Sequence, residues 1–243
     1  MKNKRIIAVA MATGMAVSLA ACGGSASTTD TTGTADAATT EAAAATDGEG
    51  TGFTVQLGPN PETLDPALNA AVDGGNTLIT IEEPLLIIDE NNEIQPGQAE
   101  SYEVSDDGLV WTFHLREGVK WVDVNAEEKA DCNAWDFASG LEWVLNFHKN
   151  DSANTSMPLE MIKGANEYYE YTKTLSKEEA DALTAGEGSK FLEMVGVEIP
   201  DDHTIIYHCI DPKPYFDSVA TYACLFPISQ AMVDELGGPD GVR

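Results

Sequence analysis

Leu109-Val110-Trp111-Thr112-Phe113-His114-Leu115-Arg116-Glu117-Gly118-Val119-Lys120-Trp121 is the most informative run in the 243-residue chain. Apolar and other residues alternate from Leu109 to Leu115, so a strand here puts Leu109, Trp111, Phe113 and Leu115 on one face. Val110, Thr112 and His114 take the opposite face. Upstream, Ser101 to Val104 forms a second short run. Asp106-Asp107-Gly108 between the two carries the turn chemistry of a hairpin. The middle of the chain is therefore expected to build an antiparallel sheet with one buried face.

Further out the period changes. Phe137, Leu141, Val144, Leu145 and His148 recur at helical spacing behind Asn133, a good N-cap. Another helix is expected over Leu159 to Tyr169. Ser176-Lys177-Glu178-Glu179 is a capping box opening a short helix that stops near Gly186. Val195 to Ile199 and Thr204 to Ile210 flank Pro200-Asp201-Asp202-His203 as a second hairpin, a short helix follows Pro212 and Pro214 through Val219, and Ser229 caps a last helix ending at Gly237-Gly238. Toward the N-terminus, Phe53 to Leu57 reads as a first strand, and Leu85 to Ile88 as a short one closed by a turn at Asn91-Asn92. The order predicts one layered α/β unit with an inserted subdomain.

Residues 1–22 have the plan of an export signal. Lys2, Lys4 and Arg5 precede an uncharged stretch from Ile6 to Leu19, too short for a permanent span, which needs about 20 apolar residues. It ends Leu19-Ala20-Ala21-Cys22-Gly23, which resembles a bacterial lipobox, so Cys22 is expected to be lipidated and to become the new N-terminus. Two acyl chains anchor stably where one is marginal. Residues 23–52 contain only Thr, Ala, Gly, Ser, Asp and Glu. They offer nothing to bury against the entropy of ordering and are expected to be a disordered linker. The folding portion begins at Phe53.

The chain carries 41 acidic against 13 basic residues, a formal charge of −28. Such a surface repels phosphate backbones and excludes nucleic acid as a partner. The sequence nominates no catalytic or metal constellation. His203 and His208 are five apart, a spacing that faces opposite sides of a strand, His203 sits in a turn, and no Cys or third His falls at metal-site spacing. Asp89-Glu90, Asp106-Asp107 and Asp201-Asp202 sit beside turn residues without the spacing of a calcium loop. No nucleophile elbow, P-loop or dinucleotide fingerprint is present, so no cofactor and no catalytic residue is expected. Cys132, Cys209 and Cys224 make an odd set; Cys209 and Cys224 could pair in an exported protein or remain buried thiols. Trp111, Phe113, Trp121, Trp135 and Trp143 suit a core, with a pocket wall as the alternative.

A series of motifs in order carries a resemblance over residues 53–236. Glu62-Thr63-Leu64-Asp65-Pro66, Glu83-Pro84-Leu85-Leu86, Gln95-Pro96-Gly97-Gln98-Ala99-Glu100-Ser101-Tyr102 and the opening run are followed by Asn133-Ala134-Trp135-Asp136-Phe137, Val195-Gly196-Val197 and Pro214-Tyr215-Phe216. Together they resemble the family 5 extracellular solute-binding proteins, the oligopeptide- and dipeptide-binding components of ABC importers. The family's turn before the helix departs here into a polar insertion from Val124 to Asp131. The resemblance implies the first lobe of a large type II periplasmic-binding-protein fold, with 53–84 plus 190–243 forming a sheet domain and 85–189 an inserted α+β subdomain. Family members run to roughly twice this length, so the chain is expected to be an N-terminal portion that stops before the second lobe.

The resemblance also implies a function. Two lobes close on an extended peptide, and the closed form meets an ABC permease and its ATPase subunits, with the lipid anchor as sole membrane attachment outside the cytoplasmic membrane and the protein a monomer. The loop after Leu64-Asp65-Pro66, namely Asn69, Ala70, Ala71, Val72 and Asp73, is expected to offer backbone groups to the ligand, with a plain surface turn as the alternative. A non-peptide solute such as a nickel chelate or a sugar, a peptide-sensing receptor, and, with least support, a surface hydrolase are the other readings.

Overall fold

A computed structural model describes residues 60–149 and 152–242. The expected signal, Cys22, the linker and the first strand lie outside these residues. These described residues belong to one compact unit. Helix α1 (Val72–Ile81) is followed by a small hairpin of β1 (Leu86–Ile88) and β2 (Ile94–Pro96), then by β3 (Ala99–Val104) and β4 (Val110–Leu115). A second small hairpin pairs β5 (Lys120–Val122) with β6 (Glu128–Asp131), ahead of the long helix α2 (Ala134–Leu145). Four short helices come next: α3 (Ser156–Met161), α4 (Ala165–Lys173), α5 (Lys177–Asp181) and α6 (Lys190–Met194). Strands β7 (Val197–Asp201) and β8 (Thr204–His208), then α7 (Phe216–Val219), a 3₁₀ turn (Ala223–Leu225), α8 (Gln230–Glu235) and α9 (Pro239–Val242) complete the described chain.

The opening run of sequence is the interior strand β4 of an antiparallel sheet ordered β3-β4-β8-β7. Trp111 lies opposite Tyr207 and Phe113 opposite Ile205, so the alternation of β4 meets that of β8 in register. Trp111, Phe113, Leu115, Ile205 and Tyr207 are buried in the main core with Phe137, Leu141 and Phe216. The rings of Trp111 and Phe216 lie 5.5 Å apart, those of Phe113 and Tyr207 5.9 Å apart in an edge-on pair, within the favourable range for aromatics. The sheet runs across the expected division at 84/85 and 189/190: β4 needs a partner to cover its second edge, and β8, from far along the chain, supplies it.

Asn133 caps α2 as expected. Its side chain accepts from the Trp135 amide at 2.9 Å, and the Asp136 carboxylate accepts from the Asn133 amide at 3.0 Å and from the Trp121 indole at 3.1 Å. The single helix expected over Leu159 to Tyr169 is instead two, α3 and α4. Gly164 breaks it with φ of +74°, and an added Cβ there would come within 1.8 Å of the Met194 carbonyl oxygen. Helices α1 and α6 and the β5–β6 hairpin were not legible as elements. The polar insertion from Val124 to Asp131 proves to be the turn and second strand of that hairpin, and Asp123 closes the turn by accepting from the amides of Asn125 and Glu127 at 2.8 and 3.0 Å.

The three described cysteines are buried free thiols, so Cys209 and Cys224 do not pair. Cys209 is held beside β4 by the hydrogen bond its backbone amide donates to the Leu109 carbonyl, whereas Cys224 sits in the 3₁₀ turn. Burial pushes their thiols up, to about 11 and about 12. The acidic pairs close their own turns: Asp89 accepts from the amides of Asn91 and Glu93, Asp107 from that of Leu109, and Asp201 from that of His203. Among the described residues no helix is long and apolar enough to cross a membrane.

Candidate functional site

Asp65 organises the loop that precedes α1. One carboxylate oxygen accepts from the Ala67 amide at 2.8 Å and the other from the Trp143 indole at 3.0 Å, tying the loop to α2. The Asp65 carbonyl accepts from the amides of Leu68 and Asn69. From the other side, the Asn154 amide donates to the carbonyls of Pro66 and Asn69 at 2.6 and 3.2 Å, and the Ser152 hydroxyl to that of Ala67 at 2.9 Å. Asn69 in turn accepts from the Ala71 amide at 3.3 Å. A short loop with little secondary structure is thus held by side chains from two distant segments, α2 and residues 152–154, as preorganisation of a binding loop requires.

Asn69, Ala70, Ala71 and Val72 form one side of a cleft of about 390 Å³. Thr221, Tyr222 and Ala223 line it as well, and Leu78, Met157 and Phe226 add apolar lining. No charged residue lines this cleft; its polar groups include the amides of Asn69, Asn76 and Asn154. Val72 and Tyr222 flank it while 78% and 51% exposed. Asp73 lies apart, in the first turn of α1, where its carbonyl accepts from the Thr77 hydroxyl. The structure therefore brings four of the five residues named from sequence to one cleft. Thr221, Tyr222 and Ala223 escaped sequence reasoning because they lie in a short connection about 150 residues further on, with no motif of their own.

Ile79 and Thr221 also line a second depression of about 580 Å³. The second is walled by Ile81, Ile87 and Ile88 and reaches Glu82 and Glu83. Glu83 is ion-paired with Arg116. The Oε2 atom of Glu82 is buried and has no hydrogen-bond partner among the described residues. Burial, reinforced by the negative Asp65, pushes the Glu82 carboxyl up to about 8.

The expected aromatic set divides. Trp111, Phe113 and Trp143 are core residues. Trp121 packs against the core and lines a third cavity, of about 340 Å³, with Trp143, Asp65 and Glu82, while the Trp135 indole donates to Asp202 at 3.1 Å. His208 pairs with Glu198 at 2.7 Å, and among the described residues no group of three metal-ligating side chains converges.

A mixed α/β lobe whose cleft is lined by loop backbone and uncharged side chains belongs to the solute-binding class. Comparison with known proteins agrees. The sequence model of the bacterial extracellular solute-binding proteins, family 5, matches residues 93–240, and the chain belongs to that family. The oligopeptide-binding protein AmiA of Streptococcus pneumoniae is 32% identical over 175 residues, covering 70% of this chain and 23% of AmiA. The crystal structure of Haemophilus influenzae OppA in complex with RPPGFSPFR superposes with a TM-score of 0.58 at 28% identity, over 73% of this chain and 30% of that one. A periplasmic oligopeptide-binding protein of Borrelia burgdorferi shares the fold, with a TM-score of 0.60 at 24% identity over 74% of this chain and 32% of that one. The chain thus matches between about a quarter and a third of each relative, less than the half expected from the sequence.

Proposed function

We propose that this chain supplies the first-lobe wall of a peptide-binding site in a lipid-anchored component of an ABC importer. The observation that carries the reading is the uncharged cleft bounded by the braced loop Asn69 to Val72. Main-chain groups recognise any peptide alike, and the absence of charge on the cleft wall leaves side-chain identity open. An extended ligand pairs with the loop like an added strand, and a second lobe closes over it, the closed state being favoured by the contacts it adds. That relatives carry the name oligopeptide-binding protein, and that one was crystallised with a nine-residue peptide, supports peptide as the solute. The protein is then held outside the cytoplasmic membrane by a lipid on Cys22, with residues 23–52 as a tether that keeps it near the permease and its ATPase subunits. It acts as a monomer, binds its ligand without chemistry and requires no cofactor.

Titration of the isotope-labelled protein with oligopeptides, followed by NMR, tests the site. Amide shifts concentrated at residues 69–72 and 221–223 are the expected result, and they are readable at millimolar affinity. Shifts produced only by nickel or by sugars would overturn the peptide reading. Mass spectrometry of the N-terminal fragment tests the anchor: the expected mass carries a diacylglyceryl group on Cys22, and Cys22→Ala should release the protein from membranes.

A further inference from the structure

We infer that Glu82 is a protonation switch on the brace of the Asn69–Val72 loop: the neutral carboxyl stays in the cavity it shares with Asp65 and the loop stays fixed, whereas the ionised carboxylate leaves for water and loosens α1 and the loop with it. The consequence for binding rests on the peptide reading above; the switch itself does not.

Asp65 and Glu82 line one cavity of about 340 Å³. Asp65 is the carboxylate that holds the loop, with the Ala67 amide at 2.8 Å on one oxygen and the Trp143 indole at 3.0 Å on the other. Glu82 has no comparable support. Its Oε2 atom is buried without a hydrogen-bond partner among the described residues, so its charged form gains nothing there for the water it loses. Glu82 is also the C-cap of α1, and the carbonyl end of a helix disfavours a negative charge. No cation lines the cavity.

The titratable groups around Glu82 point the same way. Asp65 is the only other one that lines the cavity among the described residues; residues 227–242 contribute none, and β5 and α2 contribute Trp121 and Trp143. The Trp121 indole is given to Asp136. Glu83, next in the chain, is paired with Arg116. The Cys132 thiol, pushed up to about 12 by burial and by Asp136, stays neutral. Burial and repulsion from Asp65 accordingly push the Glu82 carboxyl up to about 8.

Helix α1 links this group to the loop. At its C-terminus the Glu82 amide donates to the Leu78 carbonyl at 2.8 Å. Near its N-terminus Gly74 is packed so closely on the Asn69 side chain that an added Cβ would meet Oδ1 at 2.0 Å. The element that the charge biases is therefore α1 with the loop joined to its first turn. A carboxyl raised in the braced form and ordinary in water favours bracing in full below about pH 4.5, progressively less as pH rises, and no further change follows above about pH 8.

The test is NMR of the free protein between pH 4 and pH 9.5, with ¹³C labels on the Glu carboxyl carbons and the Ala methyls, whose protons do not exchange with water. The Glu82 carbon should titrate with a midpoint between about 6 and about 8, and the methyls of Ala67, Ala70 and Ala71 should move with that same midpoint. In Glu82→Gln the methyls should hold their low-pH positions throughout, which also shows the variant folded; Glu83→Gln should leave the titration in place. A Glu82 midpoint near 4.5, loop methyls that do not follow it, or a methyl titration that survives in Glu82→Gln overturns the inference. Calorimetric titration with Ala-Phe-Ala-Ala-Ala, free at both ends, reads the consequence. The peptide's own amine titrates alike against both proteins, so the wild-type affinity relative to that of Glu82→Gln isolates the switch. It should fall about tenfold from pH 6 to pH 9, the effect of a competent population reduced to about one-tenth. A constant ratio overturns the inference and leaves the peptide reading standing; a methyl titration as expected without binding to either protein overturns the peptide reading and leaves the switch.

Discussion

Among the described carboxyl groups, Glu82 is pushed furthest above its ordinary range. Its folded form keeps a proton that the unfolded chain releases near pH 4.5, so its contribution to stability is full below that value and is lost as pH rises toward about 8. Each pH unit in that window is worth up to about 1.4 kcal/mol. Glu82→Gln should therefore leave stability at pH 4 little changed and raise it by about 2 kcal/mol or more at pH 8, read from urea midpoints at the two pH values. A variant that parallels the wild type across the range would show that the carboxyl is solvated. Lys149 presents the opposite case, a buried charge fully matched. Its ammonium donates to Glu142 at 2.5 Å and to the Leu183 carbonyl at 2.6 Å, while Glu142 also accepts from Asn146 and Tyr168, each at 2.8 Å. Lys149→Met strands the carboxylate and should cost about 3–5 kcal/mol. Adding Glu142→Gln, which keeps an acceptor for Asn146 and Tyr168, should recover most of that loss in chemical denaturation.

At the scale of elements, helix α2 is the spine against which the loops are set. Its N-terminus was legible because Asn133 and Asp136 satisfy each other's neighbouring amides locally, with no help from the rest of the fold. Asn133→Ala should cost about 1 kcal/mol, measured by thermal unfolding. Gly140, in the middle of the same helix, reads in sequence only as a weak point, yet a Cβ there would meet the Phe226 carbonyl oxygen at 1.9 Å. The segment that carries Phe226 and lines the cleft is thus seated directly on α2. Gly140→Ala should cost about 2–3 kcal/mol by overpacking, despite the better helix propensity of Ala, and should shift the amide resonances of 221–226. Stabilisation by this change would mean that the two segments do not touch. Helix α1 shows why other elements stayed hidden. Val72–Ile81 contains two glycines and two threonines, has no side-chain N-cap, and is placed by packing of Gly74 against the Asn69 side chain.

For the molecule as a whole, charge is the dominant long-range term. The excess of carboxylates is spread over the surface, and most of the few cations are spent on local pairs that are worth little when exposed. Raising ionic strength from a few millimolar to about 0.15 M, where the screening length is about 8 Å, should therefore stabilise the fold by relieving repulsion. The melting temperature should rise with sodium chloride; a fall would indicate that the ion pairs outweigh the repulsion.

Sequence alone determined the strands around Trp111 and Tyr207, the capped start of α2, the turns closed by aspartates and the family to which the motifs belong. Each of these rests on residues close together in the chain, where alternation, capping and turn chemistry act without distant partners. It also pointed to the loop at Asn69 to Val72, though only through the resemblance. Tertiary structure decided that β4 pairs with β8, that Gly164 splits an apparent single helix, that Cys209 and Cys224 remain apart, and that Ala71 and Tyr222 line one uncharged cleft. Those outcomes depend on contacts between segments up to about 150 residues apart. Their energies come from burial and close approach, and no local pattern encodes which distant partner will fill the space.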